Sequence, residues 1–208
     1  MQILPYIFLG WLLSFLGQLP LGTMSITATQ IAVQENFRQA WKYSLGVALV
    51  EIIYLRGVLS GMQWIVSHQD LFKIFNWLTV LLFGLFGIWS FITAQKQQNE
   101  RKALLLDNRL DRFLLGLSMS ALNPVQIPFW FVWSGYFLSQ GWLKSDPFIF
   151  NVFTFGTGLG TICGLMVYMY GGKGLVTRMK TSNRSLNKIM GLIFIMAALA
   201  QLYRILWP

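Results

Sequence analysis

A stretch from Ile3 to about Ala32 carries no charged side chain, and its middle reads Phe15-Leu16-Gly17-Gln18-Leu19-Pro20-Leu21-Gly22-Thr23. The run is roughly 30 residues long, and about 20 suffice to cross a bilayer as helix. Proline removes a backbone donor and collides with the preceding turn, so the helix bends or stops near Pro20. In hydrocarbon the freed backbone groups are tolerable only where protein or a wet cavity covers them. This chain is therefore read as a membrane protein with a broken helix at membrane depth.

A second break lies at the matching place in the other half, Ala121-Leu122-Asn123-Pro124-Val125-Gln126-Ile127-Pro128. Paired interruptions in two halves are the best sequence pointer to a transport site. The plainer reading is two packing kinks, since Pro and Gly are frequent in transmembrane helices.

Composition supports the membrane reading: of 208 residues 55% are hydrophobic and 11% charged, and the apolar residues form long blocks. The length suits six spans with short loops: Ile3 to Ala32, Trp41 to Met62, Phe75 to Thr93, Phe113 to Leu138, Pro147 to Tyr170 and Leu186 to Trp207. Basic residues account for the net charge of +9 and sit mainly in the loops after spans one, three and five. That asymmetry puts these loops in the cytoplasm and both termini outside, in a cell (inner or plasma) membrane. It reads as topology and lipid contact, with no nucleic-acid partner. The N-terminal stretch lacks the basic start of a secretory signal and is too long for its apolar core, so it is expected to remain in the mature protein.

The fold expected is an all-α integral membrane protein of six transmembrane helices. They form two inverted three-helix repeats, with helices 1 and 4 broken. The first repeat covers 1–95, a polar cytoplasmic linker 96–112, and the second repeat 113–208. With three spans per half, the halves must lie in opposite orientation.

Polar residues inside the spans are the candidates for chemistry. After the first break Thr23, Thr27, Gln30 and Gln34 recur at helical spacing, with Ser25 and Thr29 off that stripe. Such a face suits a solvated cavity or interhelical hydrogen bonding equally. Glu51 lies near the middle of span two, where a charge costs about 2.5–3.5 kcal/mol on insertion scales. Arg56 is about 140° further round that helix, a poorly aligned partner that can instead snorkel outward. The bland reading of Glu51 is a hydrogen-bonded carboxyl that locks helix packing.

Other features carry less. His68 falls in the expected loop Gln63 to Lys73 and receives no role. Gly84 and Gly87 in span three read as close-contact points. Phe129-Trp130-Phe131-Val132-Trp133 suits a pocket wall offering cation–π contacts, or more commonly a lipid-facing belt. Gly156, Gly160 and Gly164 form a small-residue face that suits a homodimer as easily as internal packing. Gly171-Gly172-Lys173-Gly174 reads as a helix end, and the single cysteine, Cys163, as a packing residue.

These residues resemble the lysine-exporter (LysE) superfamily of small amino-acid and metabolite exporters. Leu19-Pro20-Leu21-Gly22, then Gly46 and Glu51 before Tyr54, is similar to the family's Pro-Gly signature and following helix. Asn123-Pro124 is similar to its Asn-Pro at the repeat-equivalent position. The usual Pro-Gly-Pro is reduced here to Pro20-Leu21-Gly22-Thr23, which bears on substrate more than on fold. The resemblance implies export from the cytoplasm coupled to proton entry. No Ser/His/Asp set, His-rich metal box or paired carboxylates in the spans suggest an enzyme, and no cofactor is expected.

On this reading Pro20, Gly22, Thr23, Thr27, Gln30, Glu51, Asn123, Pro124 and Gln126 bind a small-molecule substrate within the bilayer. Half-helix starts would hold its anionic group. Glu51 would bind its ammonium, exchange a proton, or do both in turn. The rivals are a divalent-cation exporter of the same superfamily, a non-transporting assembly protein and a membrane enzyme. One deep carboxylate, one histidine and one cysteine serve a metal poorly, and no catalytic set is visible.

Overall fold

A computed structural model describes residues 3–20, 22–95, 110–123 and 125–207, with side chains described for all of these except 94, 95, 173, 175–184 and 186. Leu21, Pro124 and most of the expected linker, 96–109, lie outside the described residues. Every element among the described residues is helical.

Helix α1 (Leu4–Gln18) opens with Pro5 in its first turn, where the missing N–H has no partner to lose. It ends at the first break, and α2 (Thr23–Gln34) leaves at 81° to it. Helix α3 (Phe37–Ser67) is capped by Asn36, whose side chain accepts from Gln39 N–H at 2.9 Å. Helix α4 (Gln69–Gln95) follows after a single non-helical residue, so the expected loop from Gln63 to Lys73 is corrected to a tight corner. His68 is the C-cap of α3, and its ring nitrogen lies against the Trp64 carbonyl at 2.9 Å.

The second half begins with α5 (Arg112–Ala121) and α6 (Gln126–Ser139), separated by the second break. Helical hydrogen bonding then runs from Pro147 to Leu206, but Gly172 sits at φ 57° and ψ −159°. Only glycine adopts that conformation without steric cost. The run is therefore two helices, α7 (Pro147–Gly172) and α8, whose apolar part is Asn187–Leu206. The backbone between them is helical, where a loop was expected.

Among the described residues four helices are long and apolar enough to cross a membrane: α3, α4 over Gln69–Thr93, α7 and α8. The bent pair α1 and α2 makes a fifth if it counts as one broken span. Helices α5 and α6, of 10 and 14 residues, are each short of the roughly 20 that a crossing needs. The chain is thus an all-helical, multi-pass membrane protein with four or five spans by length and composition.

Glycines set the closest helix contacts. Gly156 and Gly160 of α7 face the α1 backbone at Ile7 and Trp11, and Gly164 faces Gln18. The expected dimer face is thus covered within the chain by α1. Gly46 of α3 packs on the α5 backbone at Phe113 and Leu117, and Gly116 of α5 on Tyr43. Gly87 of α4 meets Gly191 and Ile195 of α8, whereas Gly84 faces open space and makes no close contact.

The aromatic run is core. Trp130, Trp133, Tyr136 and Phe137 are buried with Phe83, Phe153 and Phe194. Trp133 and Phe83 meet edge-to-face at 4.9 Å, the geometry that ring quadrupoles favour. The lipid-belt reading is corrected accordingly.

At the end of the bundle where α3 and α5 begin, Arg112 pairs with Glu35 at 2.6 Å and Lys42 with Asp111 at 3.3 Å. The first pair is partly buried and the second exposed, so the first contributes more to docking α5. Asp111 also caps α5, accepting from Phe113 N–H at 2.9 Å. That bond, then Lys42, holds its carboxyl below the usual carboxylate range. Stabilisation from Asp111 is therefore present above the ordinary carboxylate pKa and lost as pH falls through the lowered value. Thermal melts of Asp111→Ala should lie below wild type at neutral pH and converge with it in strong acid, with Asp111→Asn between them. A gap that does not change with pH would refute the assignment.

Candidate transport site

Breaking a helix in the membrane frees carbonyls, and their partners locate the site. In the first break the Gln18 carbonyl accepts from Ser25 Oγ at 3.4 Å, and the Leu19 carbonyl accepts from the Tyr168 hydroxyl of α7. In the second, the Ala121 carbonyl accepts from the Tyr54 hydroxyl of α3 at 3.0 Å. Asn123 Oδ1 accepts from Val125 N–H at 3.2 Å and rounds the chain into α6. Both breaks are thus fixed by side chains from the helices they pack against.

Glu51 is buried on α3, at 5% exposure. Its Oε2 accepts from Thr161 Oγ1 of α7 at 2.6 Å and its Oε1 from Ser14 Oγ of α1 at 3.1 Å. Gln18 Nε2, at the lip of the first break, lies 3.5 Å from Oε2. None of the ion pairs among the described residues includes Glu51. Arg56 turns away, donating to Asn151 and Ser60 at 2.8 Å each and lying over the Phe150 ring. Among the described residues Glu51 is therefore held by neutral donors alone.

Proton counting makes this cluster bistable. Thr161 Oγ1 has one hydrogen but faces Glu51 Oε2, Ser14 Oγ at 2.8 Å and the Thr157 carbonyl at 3.1 Å. With an ionised carboxylate, Thr161 donates to Glu51. With a protonated one, Glu51 donates to Thr161, whose own hydrogen turns to the Thr157 carbonyl. Either state leaves the cluster bonded without moving a helix.

A cavity of about 290 Å³ lies between the two breaks; it reaches the first of them at Gly17, next in the chain to Gln18, and is not lined by Glu51, Ser14 or Thr161. Gly17, Pro20 and Gly22 line it from the first break, and Val125 and Phe129 from the second. The remaining wall comes from α4 (Phe86, Trp89, Ser90, Thr93) and α8 (Asn187, Met190, Phe194). Gly22 and Val125, the residues preceding α2 and α6, make no side-chain cap bond.

The other candidates scatter. Thr23 and Gln34 are exposed, while Ser25, Thr27 and Thr29, from both sides of the expected stripe, are buried. Thr27 faces the Tyr43 hydroxyl. Gln30 Oε1 is buried without a partner. Gln126 accepts from Ser120, which also faces the Val47 carbonyl. Ser14, Thr161 and the α4 and α8 walls were not singled out from sequence. Helical hydroxyls are too common to signal, although Gln18 lay in the first break. Among the described residues no three His, Cys, Asp or Glu side chains gather as a metal ion would need.

Membrane-length helices, two packed breaks and a partly open cavity between them define a multi-pass membrane protein. The chain belongs to the LysE type translocator family, whose family model matches residues 15–204. It is accordingly a membrane transporter for small molecules. No curated protein and no solved structure matches the chain.

Proposed function

We propose that this protein exports amino acids or related small metabolites from the cytoplasm by proton antiport, with Glu51 as the proton-exchange site. The observation that carries the reading is a buried carboxyl bonded only to Ser14, Thr161 and Gln18, next to a helix break that lines a cavity. An uncompensated charge at this depth is costly, whereas a proton carried on and off relieves it. Both carboxyl oxygens are already engaged, which favours proton exchange over direct capture of a substrate ammonium. Substrate would sit in the cavity, framed by Pro20 and Gly22. Its anionic group would meet the N–H groups of the α2 start, with Asn123 and Gln126 holding the second break in position and the α6 start adding its dipole.

We further propose two inverted three-helix repeats, 1–95 and 113–208, with α5 and α6 together making the sixth crossing and both termini outside. The supporting observation is a matched pair of contacts. Gly46 packs on Phe113 and Leu117 as Gly160 packs on Trp11 and Phe15. Tyr54 bonds the Ala121 carbonyl as Tyr168 bonds that of Leu19. The intervals from Gly46 to Tyr54 and from Gly160 to Tyr168 are equal. So are those linking Phe113, Leu117 and Ala121 to one another and Trp11, Phe15 and Leu19 to one another.

The test is counterflow into liposomes containing only this protein, using a labelled amino-acid pool and an imposed pH gradient. Uptake that quickens with the gradient is expected. Silence across the pool would end the amino-acid reading, and gradient-independent exchange would end the proton reading. In the same assay Thr161→Val should slow gradient-driven flux about 10-fold, the loss expected from one hydrogen bond to a charged group. Thr161→Ser should restore it; equal flux in all three would remove Thr161 from the mechanism.

A further inference from the structure

We infer that the cavity selects amino acids with uncharged, apolar side chains, aliphatic or aromatic, over those with cationic or anionic ones. The inference rests on the transport reading above and adds the substrate class.

The wall has two zones. Helices α4 and α8 run antiparallel, with Gly87 against Gly191 and the Phe86 and Phe194 rings 5.7 Å apart. One and two turns beyond that contact along α4 come Ser90 and Thr93, and one turn back along α8 comes Asn187. These three polar side chains therefore share one end of the cavity. Toward the other end lie Phe86, Phe129, Met190 and Phe194, with the Phe129 and Phe194 rings edge-to-face at 6.3 Å. Among the described residues no Lys, Arg, Asp, Glu or His lines it.

Physical chemistry then sorts the ligands. At about 290 Å³ the space lies at the small end for ligand pockets, so it holds one compact molecule. The α2 start offers first-turn N–H groups to one carboxylate, whereas at α6 Asn123 already takes Val125 and Gln126 N–H and Pro128 has none. The hydroxyl and amide oxygens offer acceptors to an ammonium. What remains for the side chain is ring faces and a thioether, which reward apolar surface. A second charge placed there would be desolvated with no partner, which is strongly unfavourable. A lysine-like or glutamate-like substrate fails at this point, whereas a leucine-like or phenylalanine-like one fits.

The experiment is counterflow with full-length protein in liposomes, comparing labelled leucine, phenylalanine, lysine and glutamate at equal concentration. Leucine and phenylalanine should exchange at least 10-fold faster than lysine and glutamate. Met190→Glu, which puts a carboxylate in the apolar zone where the side chain sits, should raise lysine exchange at least 10-fold relative to leucine. Since residual leucine exchange reports folding, this variant stays interpretable. If wild type exchanges lysine or glutamate as fast as leucine and phenylalanine, the class assignment is overturned and amino-acid transport stands. If none of the four exchanges while a polar or charged amino acid in the pool does, the assignment again fails alone. If nothing in the pool exchanges, both readings fall together.

Discussion

Glu51→Gln should abolish the response of transport to a pH gradient while leaving exchange at equal pH on both sides. Glutamine keeps the shape of glutamate and can still accept from Ser14 Oγ, so the α1–α3–α7 contact survives. It cannot bind and release a proton in the physiological range. Flux under an inward proton gradient should fall at least 10-fold, to the level seen without one, and the thermal midpoint in detergent should not drop. Removing a buried charge that has no cationic partner can even raise it. The decisive comparison is the ratio of flux with and without the gradient, measured for both proteins across a pH series. An unchanged ratio in Glu51→Gln would assign the carboxyl to packing alone, as a hydrogen-bonded lock between three helices.

The other large effect should come from Gly160→Leu. A side chain here would run into the Trp11 carbonyl and Ser14 of α1, and backbone cannot step aside as a flexible side-chain tip can. Overpacking costs typically about 1–3 kcal/mol where side chains can adjust, and more where backbone must move. Helix α1 would be pushed off α7, separating Ser14 from Thr161 and opening the Glu51 cluster. Loss of a monodisperse peak in size-exclusion chromatography, or of most transport at normal expression, is the expected outcome. Gly84→Leu is the control, because Gly84 has nothing within 4 Å. It should behave as wild type. Equal tolerance of both substitutions would mean that the α1–α7 approach is not needed.

The two predictions probe features that were legible to different degrees. Glu51 stood out because a carboxylate inside an apolar run is costly at membrane depth and needs a partner or a role. The breaks stood out because Pro and Gly have local backbone consequences that no tertiary context cancels. The glycines of α7 announced a close approach by their spacing, but spacing cannot name the partner, and α1 rather than a second subunit fills that face. The aromatic run after the second break was ambiguous for the same reason. A ring reads the same whether it meets lipid or Phe83, and only packing buried Trp133 against the latter.

Family membership was legible too, in short motifs and chain length, and the family model over residues 15–204 agrees with it. The corner at His68 was misread as a loop because polar residues cluster around it, yet helix runs to Ser67 and resumes at Gln69. A helix end in a membrane protein often carries polar side chains at the interface without leaving helical geometry.

By itself, then, the amino-acid sequence determined what local rules govern: apolar helices long enough for a bilayer, two interruptions, one deep carboxylate and the family. Tertiary structure alone decided the chemistry of the site. It brought Ser14, Gln18 and Thr161 from two other helices to Glu51, and it set the rings and polar groups of α4 and α8 around the breaks. Hydroxyls and aromatic side chains are common on membrane helices. Their meaning depends on which neighbour lies within about 3 Å for a hydrogen bond or 4 Å for a packing contact, and helix packing sets that distance.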